Sequence, residues 1–476
     1  MGLPWLLPPK RAARWELVRA LWDLVGWIPR MLWYLAWSHR SHERAMQADL
    51  AKPPIQPHQS AGRLDWSKPP RFFLSCAEVS GEVHGANLAR ALRHLAHEAG
   101  LSEPELVGFG GPDLAAAGVQ IVADPVQGAT LHAGSILKAL PFYRGLIRQA
   151  AECFQGSPDQ PPVDLFVPVD SPALHVPMAR VARRYDVPTW HFIAPQFWGW
   201  APWRAGRYRR NVAHAFTILP FEPYWYERHR IPVTHVGHPL LDALAELPAP
   251  PAPNDPVRSD WVLLPGSRRG EITDNLEWML RAMAPLLERH PELVVHIAQS
   301  RADHQALIES IIDQVTWARG TRRPEVSIGS LHDVLARCRS ALAVSGTVLT
   351  DLLVHRIPAV VIYRDPGGWK GKMVNRLLTP GMFASTNLVA GYELLPEFCF
   401  GDDGPLQQVG ADLVRMQEDL AWRNELLAGL EEVARRLGGP GACERAARAL
   451  LEAYSASQTR PHRAAHKAAP RAAPQG

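Results

Sequence analysis

The chain has 476 residues, of which 47% are hydrophobic and 21% are charged. This length predicts about two to three domains, and this composition excludes a wholly disordered protein. The net charge of +4 belongs to the two ends, because residues 66–455 carry slightly more acidic than basic groups. An acidic middle argues against a nucleic-acid-binding body.

Five scattered cysteines without a CxxC pair indicate neither a zinc site nor a disulfide framework, and we expect a reducing cytosol.

The first forty residues are rich in tryptophan. At about 100° per residue, a broad apolar arc lies opposite a narrow polar stripe of Arg19, Asp23 and Arg30, and tryptophans follow the border. These charges and Pro29 interrupt any span of about 20 apolar residues, and the pattern of a secretory signal is absent from the sequence. We expect an amphipathic helix in the headgroup layer of a membrane. A helix packed on the protein's own core is the alternative.

The Pro-rich residues 52–70 indicate a linker, and the Ala-, Pro- and Arg-rich tail from residue 456 predicts disorder. Between them, short apolar runs alternate with helical patterns, which indicates parallel sheets covered on both faces. A segment with many prolines at 244–258 divides this region. We predict an α/β protein with two Rossmann-like, doubly wound domains that face a cleft, preceded by an amphipathic helical extension. The expected boundaries are 1–65 for the extension and linker, 66–250 and 251–455 for the domains, and 456–476 for the tail.

The apolar runs also define candidate strands. In the first half they are 72–75, 165–169, 189–193, 215–219 and 233–236. In the second half they are 261–264, 293–298, 341–344 and 359–363. Ligands of such sheets bind beyond the carboxyl ends of the strands, so polar residues just after a strand are the candidates for a site.

One such turn is "LLPGSRRGEI", which runs from a strand through a short loop into a helix. Gly266 lets the backbone approach a ligand, Ser267 can cap the helix, and Arg268 offers a bidentate fork to phosphate. An ordinary capped turn with a surface arginine is the alternative interpretation. Neither GxGxxG nor GxxxxGK[ST] occurs in the sequence, which argues against a dinucleotide fingerprint or a P-loop.

A second turn of this kind is "AVSGTVLTD". Ser345, Gly346 and Thr347 stand at the start of a helix, where free N–H groups and the helix dipole favour an anion. Asp351 follows one turn later, near the expected place of a ribose hydroxyl. A plain capped turn is again the alternative. Two anion-binding turns in one domain together indicate a nucleotide diphosphate.

In the first half, "DLFVPVDSPALH" ends a buried strand at Asp170. This carboxylate is either a helix cap or a general base whose pKa is set by burial. The sequence contains no DxD pair, so a carboxylate-bound Mg²⁺ is not indicated and we expect neither a metal nor another cofactor. The segment 194–229 mixes tryptophan with arginine, which is typical of an anionic lipid headgroup site or of plain surface packing.

Nine segments occur in an order and spacing that resembles the lipid-A-disaccharide synthase family. They are AEVSGEVHGA, GFGGPDL, VDSPALH, APQFWGW, LPFEPYWYE, VGHPLLD, LLPGSRRGEI, SGTVLTD and NLVAGYELLPE, and they span about residues 72–400. The resemblance implies a GT-B fold and an inverting, metal-independent glycosyltransferase. It implies transfer of a diacylated glucosamine from UDP to the 6-hydroxyl of a diacylglucosamine 1-phosphate, which releases UDP and the lipid A disaccharide.

The resemblance also assigns roles to residues that match its motifs. Asp170 is the expected base, and Arg268 the expected arginine at the diphosphate. Gly81 and Gly85 are expected to open the first turn to sugar and acyl groups. The expected substrate-binding residues are Glu78, Ser80, Gly81, Gly266, Ser267, Ser345, Gly346, Thr347, Asp351 and Asn387.

The chain departs from the family pattern at several positions. Asp351 replaces a glutamate, and Tyr392 replaces an arginine. The Pro-Asp-Phe-Asn that usually follows the base reads Pro-Ala-Leu-His at 172–175. The family has no tryptophan-rich leader. Some of these changes fall near the expected acceptor and acyl sites, so the acceptor or its acyl chains can differ.

The expected partners are the two lipid substrates and the cytoplasmic face of the inner membrane, where we expect a peripheral protein. No nucleic acid is expected, and a homodimer is left open. Two other functions are left open as well. One is a different GT-B enzyme, such as a UDP-sugar epimerase or another glycolipid transferase. The other is a non-catalytic binder of UDP-sugars.

Overall fold

A computed structural model describes residues 8–126, 136–299, 302–364, 381–401 and 404–459. Its described residues form two compact units. The first unit contains the described parts of 1–17, 59–192 and 443–476, and the second contains those of 18–58 and 193–442. Both units combine parallel strands with helices, as the alternating pattern predicts.

The first unit is built on a parallel sheet with the strand order β3-β2-β1-β4. Its strands are β1 (Arg71–Cys76), β2 (Glu105–Phe109), β3 (Gln120–Ala123) and β4 (Leu165–Val169). A short strand β5 (Trp190–His191) follows, and bridges join its flanking residues Thr189 and Phe192 to β4. The helices are Val79–Glu98, Pro112–Ala116, Ile136–Gln155, Pro172–Arg184 and Ala442–Thr459.

The second unit contains a six-stranded parallel sheet with the order β10-β9-β8-β11-β12-β13, and a parallel pair β6-β7. The strands of the pair are β6 (His214–Thr217) and β7 (Val233–His235). The strands of the sheet are β8 (Asp260–Leu264), β9 (Val295–Gln299), β10 (Glu325–Ile328), β11 (Cys338–Val344), β12 (Ala359–Arg364) and β13 (Glu397–Phe400).

Helices and short helical turns connect these strands. Before the six-stranded sheet they are Phe197–Trp200, Pro202–Arg204, Ala205–Asn211, Glu222–Arg228 and Leu240–Ala245. Within the sheet they are Arg269–Arg289, Ala302–His304, Gln305–Gln314, Leu331–Leu335, Val348–Val354 and Ser385–Ala390. After it come Leu406–Glu418 and Leu420–Leu437.

The predicted helical extension is present. It comprises Pro9–Val25, Trp27–Trp33, a π-helical turn at Tyr34–Ser38, and His39–Leu50. Met31 and Tyr34 are buried and pack with Trp203, so this part of the extension lies on the second unit's own core. Among the described residues, no helix is long and apolar enough to cross a membrane.

All nine candidate strands coincide with observed strands, and the predicted parallel architecture is confirmed. Four further described strands, β2, β3, β10 and β13, have no counterpart among the candidates. Three of these lie at sheet edges, where one side of a strand stays open and its sequence is less apolar. The linker at 52–70 is irregular as expected, whereas the last helix continues to Thr459, inside the expected tail. The rest of that tail lies outside the described residues.

Candidate active site

Asp170 follows the last residue of β4, at the carboxyl edge of the first sheet. Asp170 and Ser171 have φ values of 50° and 46°, in the left-handed region. Such a conformation costs a non-glycine residue about 1–3 kcal/mol, so surrounding contacts must hold it. The N–H of Asp170 donates to the carbonyl oxygen of Phe192 at 2.9 Å. Its own carbonyl oxygen accepts bonds from His175 Nδ1 at 2.6 Å and His191 Nε2 at 2.9 Å.

The environment of Asp170 favours its protonated form. Burial raises the pKa of its carboxyl group, the N–H of Ser171 lowers it, and the nearby Glu78 raises it. Burial lowers the pKa of His175 to about 4 and that of His191 to about 3. Both imidazoles are therefore neutral at pH 7, and Asp170 has the raised pKa that suits a general base.

The first motif borders the same edge of the sheet. Glu78 and Ser80 are exposed beside the start of the helix Val79–Glu98, and the Ser171 hydroxyl donates to Glu78 Oε1 at 3.2 Å. A Cβ added to Gly81 would meet only the carbonyl oxygen of Val169, at 3.8 Å. Gly81 thus leaves room above the strand end.

The structure explains the glycine at position 85 differently from the sequence analysis, which expected Gly85 to open the turn to a ligand. A Cβ at this position would lie 2.3 Å from Cys76 Sγ, so a glycine is needed for the helix Val79–Glu98 to pack on β1. Close packing between the helix and the strand therefore accounts for Gly85, and no ligand contact is needed to explain it.

Gly266 begins the loop after β8 with a φ of 113°. A Cβ there would also collide with Glu271, whose Oε2 would lie 2.5 Å away. That carboxylate accepts the N–H groups of Ser267 at 2.9 Å and Arg268 at 3.2 Å, and it pairs with the Arg268 guanidinium at 2.8 Å. The backbone donors of this turn are thus already used by the protein. The Arg268 side chain is 79% exposed and keeps donors for a phosphate.

The turn after β11 uses its backbone donors differently. The N–H of Ser345 donates to the carbonyl oxygen of Ile362 at 3.0 Å, which anchors the turn to β12. Gly346 and Thr347 are exposed, and within the described parts of the chain nothing accepts their N–H groups. A Cβ on Gly346 would meet no described atom within 4 Å. This turn offers two N–H groups and open space to an anion.

Asp351 lies in the first turn of the helix Val348–Val354, as its spacing from the turn predicts. Burial raises the pKa of its carboxyl group to about 6. A carboxyl group with this pKa can both accept and donate hydrogen bonds near neutral pH, which fits a hydroxyl partner.

Asn387 is fully buried and all of its bonds lie within the protein. Its Oδ1 accepts the N–H groups of Leu394 and Leu395, and its Nδ2 donates to the carbonyl oxygen of Leu395 and to Glu397 Oε2. The same Glu397 carboxylate also accepts the N–H of Ala384 at 2.9 Å. Asn387 therefore fixes the loop between its helix and β13, and its direct contact with a substrate stays a prediction.

Glu222 is a residue that sequence reasoning missed. It is fully buried and accepts the Trp198 indole N–H at 3.0 Å and the N–H groups of Ile218 and Leu219, each at 2.9 Å. Burial raises its pKa to about 7, although these bonds oppose the shift. Glu222 joins two of the quoted motifs, APQFWGW and LPFEPYWYE. Its position inside a motif was the available signal, but its partners could not be known.

The mixed aromatic and basic segment is largely part of the core. Trp198 and Trp225 are buried, and Trp203 packs against Tyr34. Trp200 is half-exposed beneath the Arg204 guanidinium, which lies 4.9 Å from the ring centroid. Among the described residues, no three His, Cys, Asp or Glu side chains lie together where they could hold a metal ion.

Two parallel α/β units with polar turns at the strand ends are the features by which the fold can be compared with solved structures. The structure is similar to the S. aureus MnaA–UDP co-structure, with a TM-score of 0.53 and 13% identity over 82% of this chain and 99% of that one. It is also similar to a putative UDP-N-acetylglucosamine 2-epimerase from Listeria monocytogenes, with a TM-score of 0.54 and 12% identity over 82% and 98% of the two chains. These similarities establish the GT-B fold.

Sequence comparisons identify the family, which the fold alone does not. A profile described as lipid-A-disaccharide synthetase matches residues 72–451. The lipid-A-disaccharide synthase of Geobacter sulfurreducens is 32% identical over 398 residues, which cover 80% of this chain and 97% of that protein. The one from Myxococcus xanthus is 28% identical over 398 residues, covering 81% and 98%. The chain belongs to the lipid-A-disaccharide synthetase family and is a glycosyltransferase, which confirms the resemblance found in the motifs.

Proposed function

We propose that this protein joins UDP-2,3-diacylglucosamine to 2,3-diacylglucosamine 1-phosphate, giving lipid A disaccharide 1-phosphate and UDP. The observation that carries this proposal is the family match over residues 72–451, which contains every motif with a proposed role. The relative from Geobacter sulfurreducens is matched over 97% of its length, so the match is not confined to one part of that protein.

In this reaction the acceptor 6-hydroxyl attacks the anomeric carbon of the donor. Asp170 takes the hydroxyl proton as the new C–O bond forms, and the bond to the UDP oxygen breaks with inversion. Arg268 and the N–H groups of Gly346 and Thr347 stabilise the negative charge that develops on the diphosphate. The raised pKa of Asp170 and the exposure of Arg268 support these two roles.

The remaining candidates have binding roles. We assign Asp351 to a ribose hydroxyl, and Gly266, Ser267 and Ser345 to the turns that present the diphosphate donors. We assign Glu78, Ser80 and Gly81 to binding of the acceptor sugar, because Glu78 lies near Asp170 and Gly81 lies near the end of β4. Asn387 acts by holding the loop that ends at Glu397, because its amide is engaged by the protein.

Mass spectrometry of the products tests this function. Purified full-length protein receives both lipid substrates in detergent micelles, and we expect one disaccharide 1-phosphate for each UDP released. The fold similarity to UDP-N-acetylglucosamine 2-epimerases makes epimerisation the second candidate. A donor converted to its 2-epimer, UDP release without disaccharide, or UDP binding without any product would each contradict the proposal.

The helical extension supports a peripheral place on an anionic membrane surface. Trp22, Trp33 and Trp37 are 71%, 58% and 76% exposed. Four exposed arginines lie between residues 18 and 50: Arg19, Arg30, Arg40 and Arg44. The carboxylates of Asp23 and Asp49 are paired with Arg207 and Arg228 of the second unit.

Exposed tryptophan beside exposed arginine suits the headgroup layer of an anionic membrane. Of the acidic groups in this stretch, Asp23 and Asp49 are paired with arginines, whereas the Glu43 side chain is 37% exposed and lies 4.0 Å from His39. The extension thus packs on the protein and also leaves an exposed tryptophan-rich surface, and we propose that this surface contacts the membrane. The cytoplasmic face of the inner membrane is the surface where both lipid substrates would be met.

Replacing Trp22, Trp33 and Trp37 together with alanine should lower the fraction bound to phosphatidylglycerol vesicles at least about tenfold, because apolar insertion is lost. Sedimentation with vesicles measures this fraction. Tyr392→Ala, which removes another exposed aromatic ring, is the control and should bind like the wild type. Binding of the triple variant that equals the control would exclude this surface.

A further inference from the structure

Two buried histidines from different elements converge on one backbone atom of the first unit. His175 lies in the helix Pro172–Arg184, and His191 lies in β5. Both side chains are almost completely inaccessible to solvent. Their ring nitrogens lie 2.6 Å and 2.9 Å from the carbonyl oxygen of Asp170. Neither of these bonds reaches the Asp170 carboxylate.

The chemistry of these contacts fixes both ring tautomers. A carbonyl oxygen only accepts, so His175 Nδ1 and His191 Nε2 each carry the hydrogen. The other nitrogen of His175, Nε2, then accepts from the Ser75 hydroxyl, which lies 2.9 Å away on β1. Ser75 is fully buried as well. The His175 ring is thus held by a contact on each of its two nitrogens.

The bonded carbonyl belongs to a peptide in an unusual conformation. Asp170 and the next residue, Ser171, both have left-handed φ values. This conformation sets the direction in which the Asp170 side chain leaves the strand end. Two N–H donors on the carbonyl stabilise it, because relaxation to an ordinary conformation would rotate the carbonyl away from both rings.

We propose that His175 and His191 are positioning residues, which lock the Asp170 peptide in the left-handed conformation and thereby direct its carboxylate toward the acceptor hydroxyl. This inference rests on the proposed role of Asp170 as the base. His175 stands where the family motif has asparagine. An asparagine amide nitrogen occupies nearly the place of His Nδ1, so either side chain can supply this donor.

A crossed set of substitutions tests the inference. Asparagine places an amide near Nδ1 of histidine, and glutamine places one near Nε2. His175→Asn should therefore keep kcat within about threefold, whereas His175→Gln should lower it about 10- to 100-fold, since small misplacements of a reacting group have effects of this size. At position 191 the order should reverse: His191→Gln keeps the rate and His191→Asn loses it.

The readout separates positioning from folding. Full-length variants are compared by kcat, KM for each lipid substrate, UDP affinity and melting temperature. We expect KM and UDP affinity within about threefold of the wild type in all four variants, with the loss confined to kcat. Ser75→Ala removes the outer contact of His175 but no donor to Asp170, and it should lower kcat less than His175→Gln.

Each outcome has a defined meaning. The positioning role would be overturned if asparagine and glutamine had the same effect on kcat at both positions, or the opposite of the expected effects. If the wild type still made disaccharide, the proposed function would stay intact. The positioning role would also be overturned if all four variants lost kcat to the same extent and all four melted at a lower temperature. The substitutions would then act only through stability. A wild-type protein that makes no disaccharide from both substrates would refute the proposed function itself.

Discussion

Asp170→Asn should lower kcat by about 10²–10⁴, because an amide cannot take the proton of the acceptor hydroxyl. The substitution keeps the size of the side chain and leaves the backbone bonds of residue 170 in place, so UDP affinity should stay within about twofold. Product formation by mass spectrometry and UDP affinity by calorimetry measure the two quantities. Asp159→Asn, an exposed position of the same unit, is the control.

The pH dependence gives an independent check on Asp170. A base acts only when deprotonated, so kcat/KM should fall as the pH drops through its pKa. Burial raises that pKa, and the acid limb should therefore lie above the usual value of 3.8 for an aspartate. Asp159→Asn should leave this limb unchanged. An Asp170→Asn variant with at least half of the wild-type rate would remove Asp170 from the base role.

The sequence predicted the centre of each sheet better than its edges. The run around Phe72 and Phe73 is continuous and apolar because β1 is covered on both faces, and it was recognised for this reason. β13 reads Glu-Phe-Cys-Phe and pairs on one side only, so its pattern is short and mixed. In β2, Gly108 interrupts the apolar run. A Cβ there would collide with the carbonyl oxygen of Leu74, a constraint that only the paired structure reveals.

The candidate site likewise has features that the sequence predicted and features that it did not. Asp170, Ser345 and Gly266 follow strand ends, and parallel topology was enough to place each at the carboxyl edge of a sheet. Hydrogen-bond partners distant in sequence could not be predicted. His191 is 21 residues from Asp170, yet it donates to the carbonyl of that residue. Glu222 is 24 residues from Trp198, and only the fold makes its carboxylate a joint between two motifs.

The two turns predicted to bind an anion looked equivalent in sequence but differ in the structure. Glu271 accepts the N–H groups of Ser267 and Arg268, whereas in the described residues no group accepts those of Gly346 and Thr347. The difference arises because a carboxylate lies four residues after Ser267, where it can cap the turn. We infer that the first turn contributes mainly its guanidinium to the diphosphate, and the second contributes backbone donors.

Arg268→Ala should therefore lower kcat/KM by about 10²–10³, the usual effect of removing one preorganised donor to a developing negative charge. Most of the loss should appear in kcat, since the guanidinium stabilises a charge that grows as the bond to UDP breaks. Steady-state kinetics with both lipid substrates, together with UDP affinity by calorimetry, measure this division.

Arg269→Ala is the matched control for this prediction. Arg269 is the next residue, is exposed, and carries the same charge, but it begins the helix Arg269–Arg289 and does not pair with Glu271. It should keep kcat/KM within about threefold, since a general loss of positive charge at an exposed position is screened by solvent and salt. Equal losses in both variants would mean that the turn attracts UDP only through its net charge. The specific contact between Arg268 and the leaving diphosphate would then be wrong.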